Sequence, residues 1–276
     1  MKAQVLSFCL LLSAYAGYSQ TTFIFQPDSC NGKDATVFVK TGLPQWSDKN
    51  FGQRDEISAS GWTYGGQGGA DGYSRTFIDF DELKSIPRGI TITSATLSLY
   101  GKTSSIFIDQ GNVGPNDCFI DRITSSWNES VTWNTRPNIT HLHETILPAS
   151  NGIKWKYNVN VDVTMLVQDM IDLPADSSYG FCVRLQEEGY YKNLAFASSE
   201  HTDPSLRPKL TVTFNLCNPA PRRTETSTIN AAEPPVIKPL PIKKDVLSKE
   251  PKKASMQPQK EEREIGIMPL EQVKEQ

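Results

Sequence analysis

Histidine is scarce in this chain: 276 residues hold three, His141, His143 and His201. That leaves little room for histidine-based acid–base or metal chemistry. No serine sits in a Gly-x-Ser-x-Gly turn, which removes the nucleophile elbow of the α/β-hydrolases. No two cysteines approach CxxC spacing, so a zinc site is not expected. EF-hand spacing of acidic residues is also missing. No mature segment reaches the roughly eighteen apolar residues of a membrane-spanning helix. Basic charge is not in excess either: Thr21 to Cys217 carries 16 Lys plus Arg against 22 Asp plus Glu, a balance of −6. Nucleic acid demands a dense basic face, so it is not an expected partner. Finally, residues 218–276 contain no Phe, Trp or Tyr and hold nine of the 18 prolines. Such a segment buries too little apolar surface to offset its ordering entropy, and a disordered Pro/Lys/Glu-rich tail is expected there.

Residues 1–20 read as a secretory signal, with Lys2 ahead of the short apolar run Val5 to Ala16. Phe8 precedes Cys9, which argues against a lipidated cysteine. A secreted or cell-surface bacterial protein is the expectation. Cys30, Cys118, Cys182 and Cys217 remain after the signal, and an even count in an exported chain favours disulfides. Four cysteines allow three pairings. The other reading is one bonded pair, with the remaining thiols buried as small apolar groups.

Between residues 21 and 217 apolar alternation of period two recurs in Thr22–Phe25, Ala35–Val39, Thr76–Phe80, Ile90–Tyr100, Cys118–Ile123, Gly180–Leu185, Leu194–Ala197 and Leu210–Phe214. These runs are rich in Val, Ile, Thr and Phe and are bounded by Gly, Pro, Asn and Asp, as strands are. No long helices intervene, so an all-β, jelly-roll-like sandwich is expected. One short helix is predicted at Asp162–Ile171, with Val163, Leu166, Val167, Met170 and Ile171 on one face. Asp162 is placed to cap it and Pro174 to stop it.

Several pieces occur in a recognisable order: Gly32-Lys33-Asp34-Ala35, Asn50-Phe51-Gly52, Trp62-Thr63, Arg75-Thr76-Phe77-Ile78-Asp79-Phe80, Ser126-Trp127-Asn128-Glu129-Ser130-Val131-Thr132-Trp133-Asn134 and Leu206-Arg207-Pro208. Together they resemble the DNRLRE domain, a disaggregatase-related family also counted among carbohydrate-binding modules. The resemblance implies a mostly non-catalytic polysaccharide-binding role. It further implies that acidic glycans such as alginate are held by basic residues in the N-terminal part of the domain. The matching positions here are Lys33, Lys40, Lys49 and Arg75, with Asn50 beside them. Trp127 and Trp133 match a structural signature in a strand-like segment and are expected to be core. For Arg75, the competing reading is an ion pair with Asp79 or Asp81.

Sugars present hydroxyls and flat C–H faces, which suits exposed aromatics on loops. Trp62, Tyr64 and Tyr73 flank a Gly-rich stretch, Gly65 to Gly72, and Tyr190 and Tyr191 follow Glu187-Glu188-Gly189. All five are candidate contacts. A structural calcium is the one cofactor considered, near Asp28, Asp34, Asp79 and Asp81, with Asp34 as the ligand to test. Asp34 capping a turn is the alternative. His141 and His143 read as part of a loop, half a metal site at best. A rival function is structural or adhesive, with a protein partner engaged by the domain or the tail.

Overall fold

The computed structural model describes residues 20–64, 70–105, 111–174 and 177–216, the side chains of Tyr64 and Ala70 excepted. Residues 1–19 of the signal segment, the tail and Cys217 lie outside the described residues, whereas Gln20, the last residue of the expected signal, opens the first strand. Among the described residues there are eleven strands and one α-helix: β1 (Gln20–Phe25), β2 (Lys33–Lys40), β3 (Glu56–Tyr64), β4 (Ala70–Asp79), β5 (Ile92–Leu99), β6 (Cys118–Ile123), β7 (Ile139–Leu147), β8 (Val159–Asp162), α1 (Thr164–Asp172), β9 (Phe181–Leu185), β10 (Lys192–Ala197) and β11 (Lys209–Asn215). This is the expected all-β sandwich with one short helix. Every predicted alternating run contributes to a strand. β3, β7 and β8 are additional.

Two antiparallel sheets form. The smaller has the order β1-β11-β5-β8; the larger runs β10-β3-β4-β9-β6-β7, with β2 also paired to β4. Alternation sends Leu97, Leu99, Leu210, Val212 and Phe214 from the first sheet, and Ile57, Ile78, Ile120, Phe181, Val183 and Phe196 from the second, into one shared core. The helix covers that core with Leu166, Val167, Met170 and Ile171, all buried. It begins two residues after Asp162, whose carboxylate accepts the Thr164 N–H at 2.9 Å.

β4 lies inside the large sheet. One edge pairs with β2 from Gly72 to Asp79; the other is divided between β3, up to Ser74, and β9, from Thr76. Hydroxyls take over where β3 parts from β4. Ser60 and Ser74 share a 2.8 Å bond, Thr36 and Thr76 a 3.1 Å bond, and Thr76 donates to the Ser58 carbonyl.

The outer face of the large sheet carries a second apolar cluster, Ala35, Val37, Phe77, Ile123, Val131 and Cys182, against which Trp127, Trp133 and Ile139 pack. The covering segment, residues 124–138, is a series of turns and not the strand-like stretch expected around Glu129. It packs as the resemblance implied, with Trp127 donating to the Tyr179 carbonyl at 2.9 Å.

Among the described residues no disulfide forms: Cys30, Cys118 and Cys182 are free thiols, and Cys217 lies outside them. Cys118 belongs to the inter-sheet core and Cys182 to the outer cluster, so the sheet itself separates them. Burial pushes the Cys182 thiol up to about 12 and the Cys118 thiol higher, so both behave as small apolar groups.

Candidate functional site

Arg75 stands midway along β4, opposite Val37, on the outer face of the large sheet. The β9–β10 connection crosses this face and brings Glu188 to it, giving a bidentate pair: Nε to Oε1 at 2.7 Å and Nη2 to Oε2 at 3.1 Å. Asp79 is four residues along the same strand, roughly 13 Å at strand rise. Glu188, not Asp79 or Asp81, is therefore the partner. Burial pulls the Arg75 pKa down, but the Glu188 bond and charge outweigh it, and the net shift is upward.

Trp133 supplies an aromatic wall. The Arg75 guanidinium lies 5.2 Å from its ring centre and that of Arg136 lies 4.6 Å away. Arg136 also donates to the Trp133 carbonyl at 2.6 Å. Burial and then repulsion from Arg75 lower the Arg136 pKa. Among the described residues Arg136 has no carboxylate ion-pair partner. Arg75, Phe77, Arg136, Asn138, Ile139 and Cys182 border a groove of ≈ 390 Å³. Trp133, Arg136 and Asn138 had not been singled out as contacts from sequence. They come from the irregular covering segment, and only the pairing of an arginine with the second tryptophan hinted at them.

Aromatics flank the same loop. Tyr190 and Tyr191 are 49% and 55% exposed, which is unusual for large side chains in this protein. Tyr191 meets Trp62 edge to face at 5.2 Å, and the Tyr190 hydroxyl donates to Asp71 at 2.7 Å. Half-buried Tyr73 lies two residues before Arg75 on β4. Tyr64 ends β3, and its side chain is outside the described residues, as are residues 65–69 of the Gly-rich stretch. The close seating of the β9–β10 loop needs Gly61, where a Cβ would come within 2.0 Å of the Gly189 carbonyl oxygen.

The remaining predicted residues sit elsewhere. Lys33 pairs with buried Asp79 at 2.8 Å, its ammonium 4.5 Å from the Trp127 ring centre. Lys40 and Lys49 each place an ammonium 3.7 Å from the ring centre of Trp46, another aromatic that sequence reading passed over. Burial, then the charge of Lys49, lowers the Lys40 pKa. Asn50 holds the covering segment in place by donating to the Glu129 carbonyl and, at 2.9 Å, to that of Val131.

His141 and His143 lie in strand β7, not in a loop, and they do not converge. His143 has a left-handed φ of 59°, which breaks the alternation. His141 reaches Asp121 at 2.8 Å, whereas His143 reaches Asp169 at 3.0 Å. Asp121, His141 and Glu144 do bring ligand atoms within 4.8 Å of one another. Arg184 already pairs with both carboxylates of that trio, at 2.7 Å from Asp121 and 3.1 Å from Glu144. Three of the four considered aspartates are likewise engaged. Asp28 caps its own turn through Cys30 N–H at 3.0 Å, Asp79 takes Lys33 and Asp81 takes Lys84 at 2.7 Å. Asp34 differs, because its Oδ1 is buried without a partner.

No helix among the described residues is long and apolar enough to cross a membrane. Residues 31–214 match carbohydrate-binding module family 96. Comparison with curated proteins gives no match.

Proposed function

The chain belongs to carbohydrate-binding module family 96, and from that membership we propose that its outer groove binds a uronate-containing polysaccharide, outside the cell or at its surface, without cleaving it. The observation that carries this reading is Arg136, a cation set beside Arg75 on Trp133 with no carboxylate of its own among the described residues. A uronate carboxylate offers the planar, bidentate acceptor that a guanidinium matches. Arg136 takes the ligand carboxylate. Arg75, held by Glu188, presents its remaining N–H groups to hydroxyls. Tyr190, Tyr191 and Trp62 extend the surface with aromatic faces and edges for neighbouring sugar units.

Binding without cleavage is the chemistry this groove favours. Glycoside hydrolysis takes two carboxyl groups across one bond; among the described residues no carboxyl borders the groove, and Glu188 beside it is tied to Arg75.

The test uses the full chain with a polyuronate and with the same polymer after its carboxyls are reduced to alcohols. We expect salt-sensitive binding to the first, since partly exposed charges are screened, and much weaker binding to the second. Arg136→Ala should lower polyuronate affinity about tenfold, roughly 1.4 kcal/mol, with the melting temperature within a few degrees of the parent. Equal binding to both polymers would remove the uronate assignment, and unchanged affinity in Arg136→Ala would remove the groove.

A further inference from the structure

We infer that Glu188 makes the groove select glycans whose carboxylates are separated by neutral units over glycans charged at every unit. This rests on the uronate reading of the groove. The face has two unlike ends. At one, the Arg136 guanidinium lies on Trp133 without a carboxylate partner among the described residues. At the other, the β9–β10 loop brings in Glu187 and Glu188, and Asp71 stands beside it, bonded to Tyr190. Those three carboxylates meet two cations, Arg75 and Lys192, which leaves the loop end with one net negative charge. Lys40 is opposite Gly72 in the strand register, yet its ammonium sits on the Trp46 ring, 3.7 Å from its centre.

Arg75 is the boundary between these ends. Its guanidinium and that of Arg136 share the Trp133 ring, so neighbouring sugar units meet one each. Glu188 takes the Arg75 Nε–H and one N–H of Nη2 in bidentate fashion. A uronate carboxylate seeks that same forked geometry, and at Arg75 it finds the place held by a like charge. A neutral unit finds the opposite. The remaining N–H groups of Arg75 donate to its hydroxyls, and the spare lone pairs of Glu188 accept from them. The side chains of the pair are 24% and 28% exposed, so a bound polymer touches both. The loop is pinned on each side of Glu188. Lys192 bonds the Glu187 carboxylate at 2.6 Å and its carbonyl at 3.2 Å, and the Gly189 carbonyl lies against Gly61. Selectivity then comes from a repulsive group set against the competitor, alongside the attraction that Arg136 offers.

The experiment measures the affinity of the full chain for polygalacturonate with none, half or all of its carboxyls reduced to alcohols, at one salt concentration. The parent should bind the half-reduced polymer best. Its margin over the fully charged polymer should be roughly three- to fivefold, the size of one partly screened charge contact. Glu188→Gln keeps an amide oxygen for the Arg75 Nε–H but carries no charge. In that variant the fully charged polymer should gain affinity by a similar factor, and the preference should vanish. A Glu188 that only held the loop would give a loss on every polymer. Parent affinity that falls steadily as carboxyls are removed would overturn the charge pattern and leave the uronate reading standing. A preference that persists in Glu188→Gln would take Glu188 out of it. Equal binding to the charged and fully reduced polymers would remove the uronate reading itself, and this inference with it. Should Glu188→Gln fail to fold, the reduction series on the parent still decides the pattern.

Discussion

Lys33→Ala is expected to destabilise the domain by about 3 kcal/mol at pH 7, the cost of stranding one member of a buried ion pair. The sequence resemblance puts Lys33 at the ligand. Its ammonium instead lies 2.8 Å from Asp79, whose side chain is 2% exposed. Burial already holds the Asp79 carboxyl above its ordinary value, with Lys33 pulling the other way. Removing the lysine lets burial win by more. Below about pH 4, the ordinary aspartate range, the carboxyl is protonated in folded and unfolded chains alike, and the missing lysine costs little. As pH rises through the raised folded value, an unpaired charge must stay buried and the deficit opens. Urea titrations of parent and variant at pH 4 and pH 7 measure this directly. A deficit equal at both would trace the effect to the lysine stem packing on Trp127.

Gly61→Val is the second large effect, again about 3 kcal/mol at the upper end of overpacking costs. A Cβ there meets the Gly189 carbonyl oxygen at 2.0 Å and its carbon at 3.0 Å, both backbone atoms that cannot swing aside as a side chain does. The loop must lift, taking Glu188 off Arg75 and Tyr191 off Trp62. The comparator is Gly42→Ala, where φ is +74° and no atom lies within 4 Å of the new Cβ. Only backbone strain of about 1–2 kcal/mol remains there. Chemical denaturation of the two variants, with limited proteolysis between β9 and β10, separates them. Comparable losses without new cleavage would argue that the loop seating is not set by Gly61.

What the sequence disclosed depended on how local each feature was. The buried face of α1 follows from spacings of three and four within ten residues. The long strands follow from alternation that any half-buried sheet imposes. β3 was obscured because Ser58, Ser60 and Gly61 occupy places where apolar residues would announce a strand, and its inner positions bond to hydroxyls of β2 and β4 instead. The site was less legible for a related reason. Lys33 meets Asp79 across 46 residues, and Arg75 meets Glu188 across 113. Both meetings are fixed by strand register and by where a loop crosses a sheet, neither of which leaves a trace in nearby residues. Arg136 and Trp133 sit three apart in a segment without regular structure, so no periodicity marks the face they share.

The pairing of β1 with β11 carries a mechanical consequence. Gln20 is the partner of Asn215 and Phe25 that of Leu210, so the first and last described strands enter and leave at the same end of their ladder. A load applied between residues 20 and 215 therefore parts the ladder one rung at a time, as a zip opens, without shearing all six rungs together. β1 should peel at low force, while the groove, carried by β4 in the interior of the other sheet, keeps its hydrogen bonds on both edges.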